Sequence, residues 1–153
     1  MKPAKPTVAA ALAGDADATE AAFYAALRQG DAARIMACWS DEDEIVCIHP
    51  GGPRLVGMAA IRAAFEAMTG QGGLQLQPRS VCKVQALASA VHTIIEHVAL
   101  HRPDGGTPQE VYVIATNVYH HTPQGWRLVA RHASAGGPDE ARQAETVVPR
   151  LLH

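Results

Sequence analysis

From Leu74 to Ser134 the chain is a succession of long strand patterns broken only by turn clusters, and this constrains the fold more than any other feature. Four runs are read: Leu74 to about Ala86, Ser89 to His101, Gln109 to His121 and Trp126 to Ser134. Arg102-Pro-Asp-Gly-Gly-Thr-Pro108 is a hairpin loop and Thr122-Pro-Gln-Gly125 a tight return. Strands joined by short connections run antiparallel. Pro78 has no N–H for a ladder, so the first run belongs at an edge or carries a bulge. A sheet of this kind must bury one face, and the residues upstream supply the cover.

Those residues read as three helices around one short strand. Asp17-Ala-Thr-Glu20 has the spacing of a capping box, followed by Phe23 and Leu27 on one helix face. Gly30 ends this helix with a left-handed residue, and Asp31 begins a second that Trp39 closes. Glu44-Ile-Val-Cys-Ile-His49 is a short strand with Ile45, Cys47 and His49 on one face. Pro50-Gly-Gly-Pro53 turns the chain into a third helix from Met58 to Met68, whose stripe is Ile61, Ala64, Phe65 and Met68. Helices on one face of an antiparallel sheet make an α+β fold. If the sheet curls, the helices leave a cone with an open mouth.

At 153 residues the chain holds about one domain. The net charge of -2 shows no basic excess for nucleic acid, and no apolar run approaches the roughly 18 residues of a membrane span. Cys38, Cys47 and Cys82 form no close pair, which places free thiols in a reducing cytoplasm. Residues 1–14 read as a flexible leader: the apolar run from Thr7 to Ala13 is mostly alanine and follows Pro3 and Pro6, which argues against an export signal. The domain is read as 15–135. A tail follows over 136–153, helical over Glu140 to Glu145.

Several motifs, in this order and spacing, resemble the SnoaL-like and ketosteroid-isomerase-like proteins of the nuclear transport factor 2-like superfamily. They are Phe23-Tyr-Ala-Ala-Leu-Arg-Gln-Gly-Asp31, Cys38-Trp-Ser-Asp41, Gly57-Met-Ala-Ala-Ile-Arg-Ala-Ala-Phe65 and Gly125-Trp-Arg-Leu-Val-Ala-Arg-His-Ala-Ser134. The resemblance implies a cone-shaped barrel of curved antiparallel sheet with three N-terminal helices enclosing an apolar pocket, and a homodimer formed through the sheet. It implies no single activity, because such a fold hosts many. Carried over residue by residue, the isomerase tyrosine falls on Phe23, the base on His49 before Pro50, and the second oxyanion donor on Asn117, two residues before Tyr119. The isomerase triad is not retained. Tyr24 lies on a neighbouring helix face and is a poor substitute for the lost hydroxyl.

Alternation puts Val111, Val113, Ala115, Asn117, Tyr119 and His121 on one face, and the alignment turns it inward. In the last strand Trp126, Leu128, Ala130, His132 and Ser134 share the inward face on the same reasoning. The Ser89–His101 run has two registers: Thr93, Ile95, His97 and Ala99 inward, which is preferred, or Ile94, Glu96 and Val98. The expected site therefore has His49 as general base, Asn117 and Tyr119 at an oxyanion, and His132 as helper. Phe23, Trp39, His97, Val113, Tyr119, Trp126 and Ser134 are the expected ligand walls. No cofactor is expected. A metal held by His49, His97 and His132 is weighed and set aside, for want of any ligand spacing motif.

The expected function is binding of a small apolar or carbonyl-containing molecule, with proton transfer beside a carbonyl of isomerase, cyclase or dehydratase type. A non-catalytic binding protein and a dimeric interaction domain are the alternatives.

Overall fold

The computed structural model describes residues 14–146. The leader from 1 to 13 and the end of the tail from 147 to 153 lie outside the described residues. Helix α1 spans Ala16–Gln29 and α2 spans Ala32–Ala37. Strands β1 (Val46–Ile48) and β2 (Arg54–Val56) precede helix α3, Met58–Thr69. Four long strands follow: β3 (Leu76–Gln85), β4 (Ser89–Leu100), β5 (Gln109–Thr122) and β6 (Gly125–Ala135). Helix α4, Pro138–Glu145, ends the described chain.

The strands form one curved, unclosed sheet in the order β2-β1-β6-β5-β4-β3. All neighbours are antiparallel except β1 and β6. The meander lies where the turn clusters placed it. Strand β3 is both an edge strand and a bulged one, since Arg79 falls between the paired residues Pro78 and Ser80. Among the described residues no helix is long and apolar enough to cross a membrane.

Local chemistry sets the helix ends. Asp15, not Asp17, caps α1, accepting from Ala18 N at 2.8 Å. Asp17 and Glu20 are thereby free of the cap and turn toward the sheet. Gly30 closes α1 at φ +68°. It sits against Gly73, where a Cβ would stand 1.7 Å from the Arg28 carbonyl oxygen. Only two glycines allow this approach, which fixes Leu74 through its N–H to Leu27 O at 2.9 Å.

The concave face of the sheet and the helices share one core. Phe23, Tyr24, Leu27, Ile35, Ile61, Phe65, Ile94, Tyr119 and Leu128 are buried in it. Phe65 is its aromatic hub, edge-on to Phe23 at 6.0 Å and 6.4 Å from Trp39. Met68, expected on the buried stripe, is exposed at the end of α3.

Candidate active site

The inward residues of β4 and β5 are set by pairing. Glu96 pairs with Val113 and His92 with Asn117, and all four side chains turn toward the helices. This is the register of β4 that was not preferred. Ile94, Glu96 and Val98 look in, while Thr93 and His97 look out. His97 instead stacks on Tyr112 at 5.2 Å and lies 3.6 Å from Glu110 on the outer face. Side-chain period two allowed both registers, and the long hairpin loops did not decide between them.

The last strand corrects a second expectation. Val118 pairs with Ala130, but Tyr119 pairs with Leu128, so Val129 is an extra residue on β6. This bulge reverses the alternation. Trp126 and Leu128 face in before it, and Arg131 and Ala133 face in after it. His132 and Ser134, expected at the site, are exposed on the outer face. A metal held jointly by His49, His97 and His132 is therefore not assembled.

The corrected faces bring a buried polar network together. Arg131 forks onto Glu96, donating to Oε2 at 2.7 Å and to Oε1 at 2.9 Å. Its guanidinium also donates to Asn117 Oδ1 at 3.0 Å and lies 5.4 Å from the Phe23 ring centre. Tyr24 donates its hydroxyl to Glu96 Oε2 at 2.5 Å and accepts from Asn117 Nδ2 at 3.2 Å. Tyr24, placed at the margin by sequence, is thus central, because α1 is rotated so that both Phe23 and Tyr24 are buried. Burial drives the Tyr24 hydroxyl well above its ordinary value, with the Glu96 charge adding to the rise. Burial alone would lower Arg131, but Glu96 and Tyr24 outweigh it and hold the guanidinium charged.

Beside this network lies a cavity of about 410 Å³. Leu74, Leu76, Val98 and Val113 form apolar wall, the buried Glu96 and Arg131 are its floor, and the half-buried His49 also lines it. His49 follows β1, where Ile45 and Cys47 share its inward parity. Its ring meets Phe65 edge-on at 5.1 Å, and its Nε2 is 3.8 Å from Cys47 Sγ. Burial lowers the His49 pKa below its ordinary 6.5, and the Arg131 charge lowers it further against a smaller opposing pull from Glu96. Cys47 is pushed up to about 11 by burial, so it stays a thiol.

Of the expected residues, His49 and Val113 line this cavity. Asn117 does not line it; both ends of its amide serve Tyr24 and Arg131. Tyr119 donates to Glu20 Oε1 at 2.7 Å, away from the cavity. Phe23, Trp39 and Trp126 are core. Arg131 and Tyr24 were not expected at the site, and Glu96 entered only through the register of β4 that was not preferred. Glu96 had one signal, as the sole acidic residue in the apolar strand from Ala90 to Leu100.

The lowered pKa has a consequence for stability. The unfolded chain takes up the His49 proton more readily than the folded chain, so stability rises with pH across this titration. The His49 contribution is complete above 6.5 and is lost as pH falls toward the lowered folded value. His49→Gln should therefore lose less melting temperature than wild type between about pH 7 and about pH 5. Parallel losses measured by thermal denaturation would contradict this.

Comparison with known proteins agrees with this architecture. A family model described as SnoaL-like domain matches residues 17–138. No match was found among curated proteins. Among solved structures, a candidate calcium/calmodulin-dependent protein kinase type II association domain from Thiobacillus denitrificans is 33% identical, with TM-score 0.71, covering 80% of this chain and 96% of that one. A candidate dehydratase of the NTF2-like family from Streptomyces avermitilis is 27% identical, with TM-score 0.68, covering 77% and 91%. A ketosteroid isomerase-like protein from Erwinia carotovora atroseptica is 16% identical, with TM-score 0.64, covering 80% and 94%, and shares the fold alone. With its curved sheet, covering helices and matched span, the chain belongs to the SnoaL-like family of the NTF2-like superfamily.

Proposed function

We propose that the cavity receives a small, largely apolar molecule carrying a carbonyl, and that His49 accepts a proton from the carbon beside that carbonyl. The observation that carries this reading is the pairing of one free base with a charged floor inside an apolar hollow. Glu96 is not that base, because Arg131 and Tyr24 occupy both of its oxygens. Among the described residues His49 has no charged partner of this kind, only the Cys47 thiol 3.8 Å from its Nε2, and its lowered pKa leaves a neutral imidazole able to accept. The C–H bond breaks toward the imidazole, and its electron pair moves into an enolate. Arg131, whose Nε has no partner among the described residues, supplies positive charge near the resulting oxyanion. If the carbonyl is conjugated to a carbon–carbon double bond, the imidazolium returns the proton to the far carbon of the dienolate and completes an isomerisation; with a β-hydroxyl, the same proton leaves with it as water and completes a dehydration.

The test needs no knowledge of the natural substrate. 2-Tetralone in D₂O exchanges the protons beside its carbonyl, and NMR follows the rate. Wild type should accelerate exchange, and His49→Ala should lose about 10²–10⁴ of that acceleration while keeping its circular dichroism spectrum. Equal rates in the two proteins would remove His49 from the chemistry. Binding of 2-tetralone without exchange would favour a non-catalytic binding protein.

A second copy of the chain is the macromolecular partner we propose. Val46, Ala130, Val118 and Val91 make a half-buried apolar row across four strands on the outer face of the sheet, which supports pairing there. The association-domain relationship of the Thiobacillus denitrificans protein points the same way.

A further inference from the structure

Toward the Ser89 end of β4, away from the cavity, a second set of ionisable side chains meets under α1. Asp17 stands in the first turn of α1 and Glu20 almost one turn later, and His92 faces them from β4. Donor atoms of all three lie within 4.8 Å of one another. His92 is fully buried, its ring 5.0 Å from that of Tyr119. Its Nδ1 is 2.9 Å from Glu20 Oε1, the same oxygen that accepts from the Tyr119 hydroxyl. A carboxylate at Nδ1 fixes the proton there and leaves the Nε2 lone pair free. Among the described residues that buried Nε2 has no hydrogen-bond partner. The acid facing it is Asp17, with Oδ1 at 3.9 Å, too far for a hydrogen bond.

An orphaned buried imidazole nitrogen calls for an explanation, because such atoms are rare. The gap has the dimensions of a bridging ion. A tetrahedral metal with Zn–N and Zn–O bonds of about 2.0–2.2 Å sets its two ligand atoms about 3.4 Å apart. Asp17 is largely exposed and closes the difference by a swing of about half an ångström. A groove bordered by Asp17, Glu20 and Lys83 opens the Asp17 side of the pair to solvent. Glu20 on the far side of the ring is the outer carboxylate that commonly orients a metal-bound histidine. Mixed imidazole and carboxylate donors select zinc and its neighbours over calcium or magnesium.

We propose that His92 Nε2 and Asp17 bind a divalent transition metal of the zinc class, with Glu20 holding the imidazole in place. The ion joins α1 to β4 at the end of the sheet opposite the cavity. Lys83 competes with it, since its ammonium sits 2.9 Å from the same Asp17 oxygen.

Titration of the full-length chain with Zn²⁺ alone, followed by calorimetry, tests the site, and Co²⁺ supplies a visible spectrum that reports nitrogen and oxygen ligation. One equivalent should bind with micromolar affinity. Asp17→Asn, an exposed change that spares the core, should weaken binding about tenfold or more, and Glu20→Gln about 10–100-fold. Lys83→Met should strengthen it, by about threefold on the scale of an exposed ion pair. Wild-type affinity in both Asp17→Asn and His92→Gln would assign the metal to other histidines and overturn the proposal. Absence of any heat or cobalt spectrum at millimolar metal would overturn it equally.

Discussion

Arg131→Met is expected to destabilise the protein by about 3–5 kcal/mol, the usual cost of stranding one member of a buried ion pair. Glu96 is fully buried, and the substitution would leave its carboxylate with only the Tyr24 hydroxyl. Asn117 Oδ1 would lose its donor as well. For a chain of this length the melting temperature should fall by roughly 10 °C or more. Glu96→Gln should be costly in turn, because it leaves the guanidinium charge buried. The informative variant is the double one. Arg131→Met combined with Glu96→Gln removes both charges, and the neutral amide still accepts from Tyr24, so more than half of the loss should return. Urea denaturation of the four proteins closes the cycle. A loss below about 1 kcal/mol in Arg131→Met would mean that the pair is solvated and that the cavity floor is not the low-dielectric surface the proposed chemistry requires.

Much of the fold was legible because it rests on local rules. Turn clusters at 102–108 and 122–125 bounded β4, β5 and β6 to within a residue or so, and Pro78 announced an edge strand with a bulge. The resemblance turned inward the face of β5 that the structure buries, and it pointed to His49, which lines the cavity. What failed was parity. The bulge at Val129 sits in Leu-Val-Ala-Arg, a stretch with no glycine or proline to mark it, and it exchanges His132 for Arg131. In β4 the choice lay between placing Glu96 or His97 in an apolar interior. Burying a carboxylate is costly unless it is paired, and its partner, Arg131, was hidden by the other error. The two mistakes were one: each charge makes sense inside only if the other is there. The cap at Asp15 had a similar effect, since assigning that role to Asp17 concealed the group of Asp17, Glu20 and His92.

Closing the cavity should abolish ligand binding while leaving the polar network in place, and Val98→Trp is the change that does this. Val98 is on the cavity wall, two residues along β4 from Glu96 and on the same face. A bulky side chain added to a packed core usually costs 1–3 kcal/mol, as a rough range, because neighbours must move. Here the indole enters existing space of about 410 Å³, so stability should stay within about 1 kcal/mol of wild type. The affinity for 2-tetralone should fall at least about 30-fold, because the space the ring needs is occupied and about 2 kcal/mol of apolar contact goes with it. His49 follows a different strand, β1, and keeps its edge contact with Phe65, so its depressed titration should persist in the variant. That separation matters for the mechanism. If exchange of the ketone disappears in Val98→Trp while the His49 titration, read from its ring protons by NMR, is unchanged, the base acts on a molecule held in the cavity. If exchange survives, the ketone reacts at the surface. Leu87→Ala, at a hairpin tip 98% exposed, is the control and should change neither binding nor exchange.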